Sequence, residues 1–473
     1  MNRKFYVTAA IPYVNSFPHV GHALEFVQTD TIGRYHRLLG EDVLVLSGGD
    51  ENALKNVQAA EQAGVPIQEF VDTNTEIFFN LTRGLNTQFD VWQKGSDKEH
   101  HFPSSQKLWS LCEQAGDIYK KAYEGLYCIG CEAFYLPEEL NEQGECFEHP
   151  GKSLQSVSEE NHFFRLSKYQ DKLINLIETD EVRIVPESRR NEALSFLKSG
   201  LEDISISRSN ERAKNWGVPV PGDPTQRQFV WFDALNIYQS GVGFGWNEEM
   251  YEKWWPADLH VIGKGILRFH AIYFVAFLLS AGLRLPKEIF VHGYFTIDGQ
   301  KMSKTLGNVI DPFDLINKYG ADALRYYLLA RFSPFEDGDF SEEKFKEVYN
   351  ADLANNLGNL VARVAKLSEN VRLSVPKTTQ DSFDDEVTKH LESYQFNLAL
   401  QTIWSWIDNL NKKIDTEKLW EDTSGKKEIL QEIVLEIQKI AFNLRPFLPE
   451  TAKRIEKQFS GEIHPSESLF PRL

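Results

Sequence analysis

The sequence predicts an α/β protein built on a doubly wound parallel sheet, split by an inserted domain and followed by a helical bundle. Short apolar strands alternate with helical stretches at the start of the chain. The alternation breaks near Gly116 and returns near Phe229. From about Glu343 only helical patterning remains.

Residues 5–10 are short, apolar and β-prone, and Pro12 stops them. Over residues 21–39, Leu24, Val27, Ile32, Tyr35 and Leu38 recur at helical spacings, and Gly40 supplies a C-cap. Residues 43–46 form a continuous apolar run of the kind buried in parallel sheets. Residues 51–63 read as a helix closed by Gly64 and Pro66. After the insert the rhythm resumes, with strands expected at 229–232, 259–262 and 289–292 and a helix at 267–283. The expected division is 1–116 and 226–298 for the two halves of the sheet domain and 117–225 for the insert. A loop and connecting region at 299–342 then leads to a helical domain at 343–473, ending in an irregular strap.

The formal net charge is −18, from 51 basic and 69 acidic residues, which argues against coating nucleic acid through a global positive field. Local contacts to a nucleic acid remain open. The longest apolar run, 271–279, falls short of the roughly 20 residues a membrane span needs. Pro12 and Asn15 interrupt the N-terminal apolar stretch before it makes a secretory signal. Four cysteines in 473 residues are not a disulfide scaffold, and a cytoplasmic location is expected.

Three segments carry chemistry. His19-Val20-Gly21-His22 lies between the first strand and first helix, where open α/β sheets bind ligands and helix N–H groups favour an anion. Gly21 permits close approach and the imidazoles can donate to phosphate oxygens. Lys301-Met302-Ser303-Lys304-Thr305 follows a strand and Gly299, and its lysines and hydroxyls suit a departing polyphosphate. Taken singly, each segment also fits a blander reading: two unrelated histidines at a helix start, or a solvated basic loop. Cys128-Ile129-Gly130-Cys131 is followed by Cys146-Phe147-Glu148-His149. Three thiolates and one imidazole make a closed tetrahedral site for one structural Zn²⁺. A redox CxxC would leave Cys146 and His149 unexplained. Cys112 stands apart and reads as a buried small hydrophobe.

The first two segments together resemble the HIGH and KMSKS signatures of class I aminoacyl-tRNA synthetases. The whole chain is similar to the methionyl-tRNA synthetase family, from Ala10-Ile11-Pro12-Tyr13 through Val230-Trp231-Phe232-Asp233-Ala234, Phe269-His270 and Phe290-Val291-His292-Gly293-Tyr294 to the helical C-terminus. That resemblance implies a Rossmann-type catalytic domain, a zinc-knuckle insert and an anticodon-binding bundle. It also implies that L-methionine is activated by ATP with Mg²⁺ to methionyl-adenylate and passed to tRNA(Met). His19, His22, Lys301 and Lys304 match the catalytic positions, and Gly21, Gly263, Gly293, Met302 and Ser303 match further ATP-binding ones. Ile11, Tyr13, Trp231, Ala234, Leu235, Tyr238 and His270 match the methionine pocket, with Asp50 as the carboxylate for the α-ammonium group. An apolar, flexible substrate with a weakly accepting sulfur suits such walls. Asn359, Arg363 and Trp420 match residues that read the CAU anticodon, by edge hydrogen bonds and stacking. Asn359 and Arg363 alone also fit a polar helix face, and Trp420 an ordinary core position.

The sequence departs from the family pattern at four places. Thr305 replaces a serine, Asn52-Ala53 replaces His-Gly after Asp50-Glu51, Leu235 replaces a proline, and Gly265 replaces an aspartate and so is left out of the binding set. Class I enzymes for leucine, isoleucine and valine carry a much larger insert than this one, and the cysteine enzyme would hold its metal in the catalytic pocket. A non-catalytic tRNA-binding paralogue would not need His19, His22, Lys301 and Lys304 intact. A generic nucleotidyltransferase leaves the C-terminal bundle unexplained. A monomer with no membrane contact is expected.

Overall fold

A computed structural model of the chain describes residues 3–131, 133–135, 139–148, 151–297, 299–302, 307–377, 380–421 and 425–473. The fold divides into two units. One comprises Met1–Pro18, Asp42–Asn80 and Phe89–His292; the other comprises His19–Glu41, Leu81–Gln88 and Gly293–Leu473.

The first unit is organised by a six-stranded parallel sheet. Its order is Val91–Lys94, Asp42–Gly49, Lys4–Ala9, Leu259–Gly263, Glu288–His292, Arg183–Val185. Chain order reverses between Lys4–Ala9 and Leu259–Gly263, which makes that junction the topological switch point. The central strands are apolar on both faces: Tyr6, Val7, Val45, Leu46, Val261 and Ile262 are all fully buried. Arg183–Val185 lies inside the range expected for the insert, yet it pairs with Glu288–His292 in this sheet. A four-stranded antiparallel sheet, dominated by the long pair Ile118–Cys128 and Gln155–Phe164, lies in the range expected for the insert. A three-stranded sheet of Ser207–Ser209, Pro219–Val220 and Asp223–Gln228 follows it.

The helix expected at 267–283 is π-helical over Phe269–Phe274 and α-helical over Val275–Ser280, and one expected strand is a helix. Residues 229–232, expected as a strand, begin the short helix Val230–Ala234, continued after a break by Ile237–Ser240. The apolar run Phe229-Val230-Trp231-Phe232 is β-prone, but tertiary burial overrides propensity over so few residues.

The second unit holds the helix Val20–Leu38, a three-stranded sheet of Phe295–Ile297, Gln300–Lys301 and Gly338–Phe340, and the C-terminal helices. The long helices Phe396–Thr416 and Lys427–Leu444 present apolar stripes such as Ile403, Ile407, Leu410 and Ile414 to the interior. Ser374–Val375 pairs with Gly461–Glu462, and the strap beyond it anchors through Leu469 and Phe470, the latter in ring contact with Tyr349. Arg325, from the helix Ala321–Ala330, is fully buried and pairs with the equally buried Asp30 at 2.7 Å. No helix among the described residues is long and apolar enough to cross a membrane.

Candidate active site

The HVGH segment forms the start of the helix Val20–Leu38. His19 is its N-cap, with extended backbone, and its Nδ1 accepts from the Gly21 N–H at 3.1 Å. His22 reaches back so that its Nδ1 accepts from the His19 N–H at 3.1 Å. This is a reciprocal capping box made of two imidazoles. A backbone N–H only donates, so both Nδ1 atoms are unprotonated and each ring carries its proton on Nε2. Burial, and secondarily His19, holds the His22 pKa well below the usual histidine value. His22 is therefore neutral at pH 7. The result is two Nε2–H donors at the positive end of a 19-residue helix, a site suited to an anion.

Gly21 is required locally. A Cβ there would lie 2.9 Å from Cε1 and 3.0 Å from Nδ1 of His19, pushing the capping ring aside. It would also lie 3.6 Å from Met302 Cε, so the two signature segments meet in the second unit. Gln300–Lys301 is a strand paired with Phe295–Ile297, and Gly299 turns into it with φ +73° while its N–H donates to Asp339 at 2.7 Å. Ser303, Lys304 and Thr305, and the side chain of Lys301, lie outside the described residues. Gly293 is packed tightly: a Cβ would sit 1.9 Å from the Glu336 carbonyl oxygen.

The apolar pocket candidates gather in the first unit. Asp50 follows Asp42–Gly49 and bridges Tyr13; its N–H donates to Pro12 O at 2.9 Å and its C=O accepts from Asn56 Nδ2 at 2.8 Å. It is buried at 3% exposure. The neighbouring Glu51 is engaged internally by Thr75 and Ser96, and burial pushes its carboxyl up. Trp231 stacks on Phe269 at 3.7 Å, meets Tyr13 edge-on at 6.0 Å, and donates its indole N–H to Cys131 O at 3.1 Å. Ala234, Leu235, Tyr238 and His270 are buried in the same core, against which the half-buried Ile11 and Tyr13 pack. Gly263 ends the strand Leu259–Gly263. Tyr238 donates to His270 Nε2 at 2.8 Å while His270 Nδ1 donates to Ile266 O at 2.9 Å, which fixes the tautomer.

Burial lowers the His270 pKa from 6.5 to about 4, and His22 and His260 shift the same way. Between those two values the unfolded chain binds more protons, so stability is full above pH 6.5 and is lost as pH falls toward 4. Thermal melts are expected to show a falling Tm between pH 7 and 5, with a shallower fall for His270→Gln. An equal slope in that variant would contradict the assignment.

Cys128, Cys131 and Cys146 converge. Cys146 Sγ lies 3.3 Å from Cys128 Sγ and 3.7 Å from Cys131 Sγ. Around Zn²⁺ with ~2.3 Å bonds, sulfurs sit about 3.8 Å apart, so the spacing fits a tetrahedral thiolate site. Hydrogen bonding to Cys128, then burial, pushes the Cys131 thiol well up, and a thiol ligates a metal only once deprotonated. His149, the fourth expected ligand, lies outside the described residues. Cys112 is buried elsewhere, and burial pushes its thiol up to about 12, as befits a core residue.

In the bundle, Asn359 and Arg363 lie one turn apart on the helix Asn359–Asn370. Arg363 pairs with Asp415 at 2.7 Å and lies 5.7 Å from the Trp420 ring centre. Trp420 is 53% exposed, which removes the core reading for it.

The model of the tRNA synthetases class I (M) matches residues 5–365. The chain belongs to this family. It is 41% identical to a methionine–tRNA ligase of Thermotoga maritima, over 98% of this chain and 76% of that one. It is 39% identical to one of Brucella suis, over 96% and 91%. Among solved structures it is similar to the Mycobacterium tuberculosis methionyl-tRNA synthetase in complex with methionyl-adenylate. The TM-score is 0.91 and the identity 35%, over 99% of this chain and 100% of that one.

Within this class I synthetase, Asn52 and Asp233 are buried in the first unit together with His101, a contact that sequence reasoning does not reach. Asp233 accepts from Asn52 Nδ2 at 2.7 Å and is bonded to His101 Nε2 at 2.5 Å. Nothing local marks the contact, because the partners are 181 and 132 positions apart. Phe269, stacked on Trp231, was marked only by its adjacency to His270.

Proposed function

We propose that the chain is a methionine–tRNA ligase, activating L-methionine with ATP and transferring it to tRNA(Met). The observation that carries this reading is the aromatic cluster of Tyr13, Trp231, Tyr238 and His270, with the buried carboxylate Asp50 bridging Tyr13 at a strand end of the parallel sheet. Its walls take an unbranched thioether, and Asp50 takes the ammonium group. The full-length likeness to methionine–tRNA ligases supports the same reading.

In the first step the methionine carboxylate attacks the α-phosphorus of ATP, and pyrophosphate leaves. Positioning and charge stabilisation dominate such chemistry. His19 and His22 act as neutral Nε2–H donors to phosphate oxygens as charge develops. In this reading Lys301 and Lys304 clamp the leaving pyrophosphate, and Gly21, Gly263, Gly293, Met302 and Ser303 are the further ATP-binding residues. Mg²⁺, when bound, would supply charge neutralisation for the polyphosphate. Asn359, Arg363 and Trp420 read the anticodon. Cys128, Cys131, Cys146 and His149 would hold one Zn²⁺, which would cross-link this segment and take no part in catalysis.

Amino-acid-dependent ATP–pyrophosphate exchange tests the proposal. Exchange with methionine and not with leucine, isoleucine, valine or cysteine is expected. Exchange driven by another of these overturns the pocket assignment, and none with any, in folded protein with Mg²⁺, overturns the catalytic reading. Trp420→Ala is expected to lower tRNA charging by roughly tenfold or more while sparing exchange, since base stacking is worth about 1–3 kcal/mol. Equal loss in both assays would refute an anticodon role. Cys146→Ala is expected to remove the single zinc seen by metal analysis and to lower Tm; full zinc retention would remove Cys146 from the ligand set.

A further inference from the structure

We propose that Asp233, held by His101 and Asn52, is the positioning element that sets the distance between the Asp50 carboxylate and the aromatic wall at Trp231. The inference rests on the methionine-pocket reading above and deepens it. Asp233 sits on the helix Val230–Ala234, between Trp231 and Ala234. That helix has five residues and no side-chain cap, so tertiary contacts must fix its orientation. Asp233 is 1% exposed, and a carboxylate there is tolerable only when both oxygens are engaged.

Both are engaged, from two different directions. Oδ2 accepts from Asn52 Nδ2 at 2.7 Å. Oδ1 is bonded to Nε2 of the fully buried His101, at the start of the helix His101–Gln114. The other nitrogen of His101 is bonded to Ser240 Oγ at 2.9 Å, so one imidazole ties Val230–Ala234 to Ile237–Ser240. Tyr238 and Leu235 lie within that span.

Asn52 carries the restraint to the other wall. It stands two residues after Asp50, and its Nδ2 also donates to Gly95 O at 2.7 Å. Its backbone oxygen accepts from the buried Arg208 at 3.1 Å. Asp50 is held by Pro12 and Asn56 through its backbone. The Asp50–Asn52 turn and the Trp231 helix are thus joined by one carboxylate. Trp231 keeps its own anchors, the Cys131 carbonyl and the Phe269 ring, when that carboxylate is released. What is lost is the spacing between ammonium site and thioether site, not the pocket.

The test measures KM and kcat for methionine and for ATP by pyrophosphate exchange. Wild-type exchange with methionine is the entry condition, and its absence would overturn the proposed function rather than this inference. His101→Ala is expected to raise KM for methionine about tenfold or more, with KM for ATP unchanged and kcat within about threefold. His101→Gln, whose amide can still donate to Asp233, is expected to recover most of the loss. Asn52→Ala removes a single neutral donor from the other side and is expected to give the same KM signature, which keeps the test open should His101→Ala not fold. Unchanged methionine KM in folded Asn52→Ala would overturn the proposal. So would parallel rises in both KM values, or no recovery with glutamine.

Discussion

Replacing His19 with alanine is expected to slow methionine-dependent pyrophosphate exchange by about 10²–10³-fold, the usual loss when one preorganised donor to developing charge is removed. His19 has two jobs that separate experimentally. Its Nδ1 caps the helix, and its Nε2 carries the proton that the proposed role would donate. Alanine removes both, so about 1 kcal/mol of stability should go with the rate. Asparagine is itself a good N-cap and should restore the stability without restoring the rate. Exchange kinetics and urea midpoints on the two variants check this. A rate loss below tenfold in His19→Ala would remove His19 from the proposed machinery. Equal recovery of rate and stability in His19→Asn would reduce it to a cap.

The second large effect concerns stability. Arg325→Ala is expected to destabilise the second unit by about 3–5 kcal/mol, as breaking a buried ion pair does. Arg325 and Asp30 are both fully buried and 2.7 Å apart. The guanidinium also donates to the carbonyls of Phe447, Pro446 and Leu85 at 2.7, 2.9 and 3.3 Å. Burial lowers the Arg325 pKa, and Asp30 opposes that shift. After truncation, Asp30 keeps Arg34 and the Gln88 N–H, but three carbonyls lose their donor. Lysine would keep the charge without the planar fork and should recover only part of the loss. Denaturant unfolding measures both; a change under about 1 kcal/mol in Arg325→Ala would mean that the pair is not a net tie.

Much of the candidate site was legible because its parts are local in sequence. His19 and His22 are three apart, the spacing at which a capping box closes. Cys128 and Cys131 sit on one tight turn, and Cys146 returns to them within the same insert. Asp50 follows a strand whose apolar run declared itself parallel and buried. Other features resisted reading for an equally physical reason. The strand Arg183–Val185 is three residues long and carries no periodicity, so only its pairing with Glu288–His292 reveals it. Val230–Ala234 is too short for a helical period to show against its β-prone composition.

The sequence by itself determined the fold class, the synthetase signatures and the cysteine cluster, because propensity, capping and short-range ligand spacing act between residues a few positions apart. Only the tertiary structure decided which buried polar groups satisfy one another. Asp233 with Asn52 and His101, and Arg325 with Asp30, are pairs drawn from distant segments. Their partners follow from where each chain segment packs, because a buried charge must take whatever donor or acceptor the packed fold brings to it.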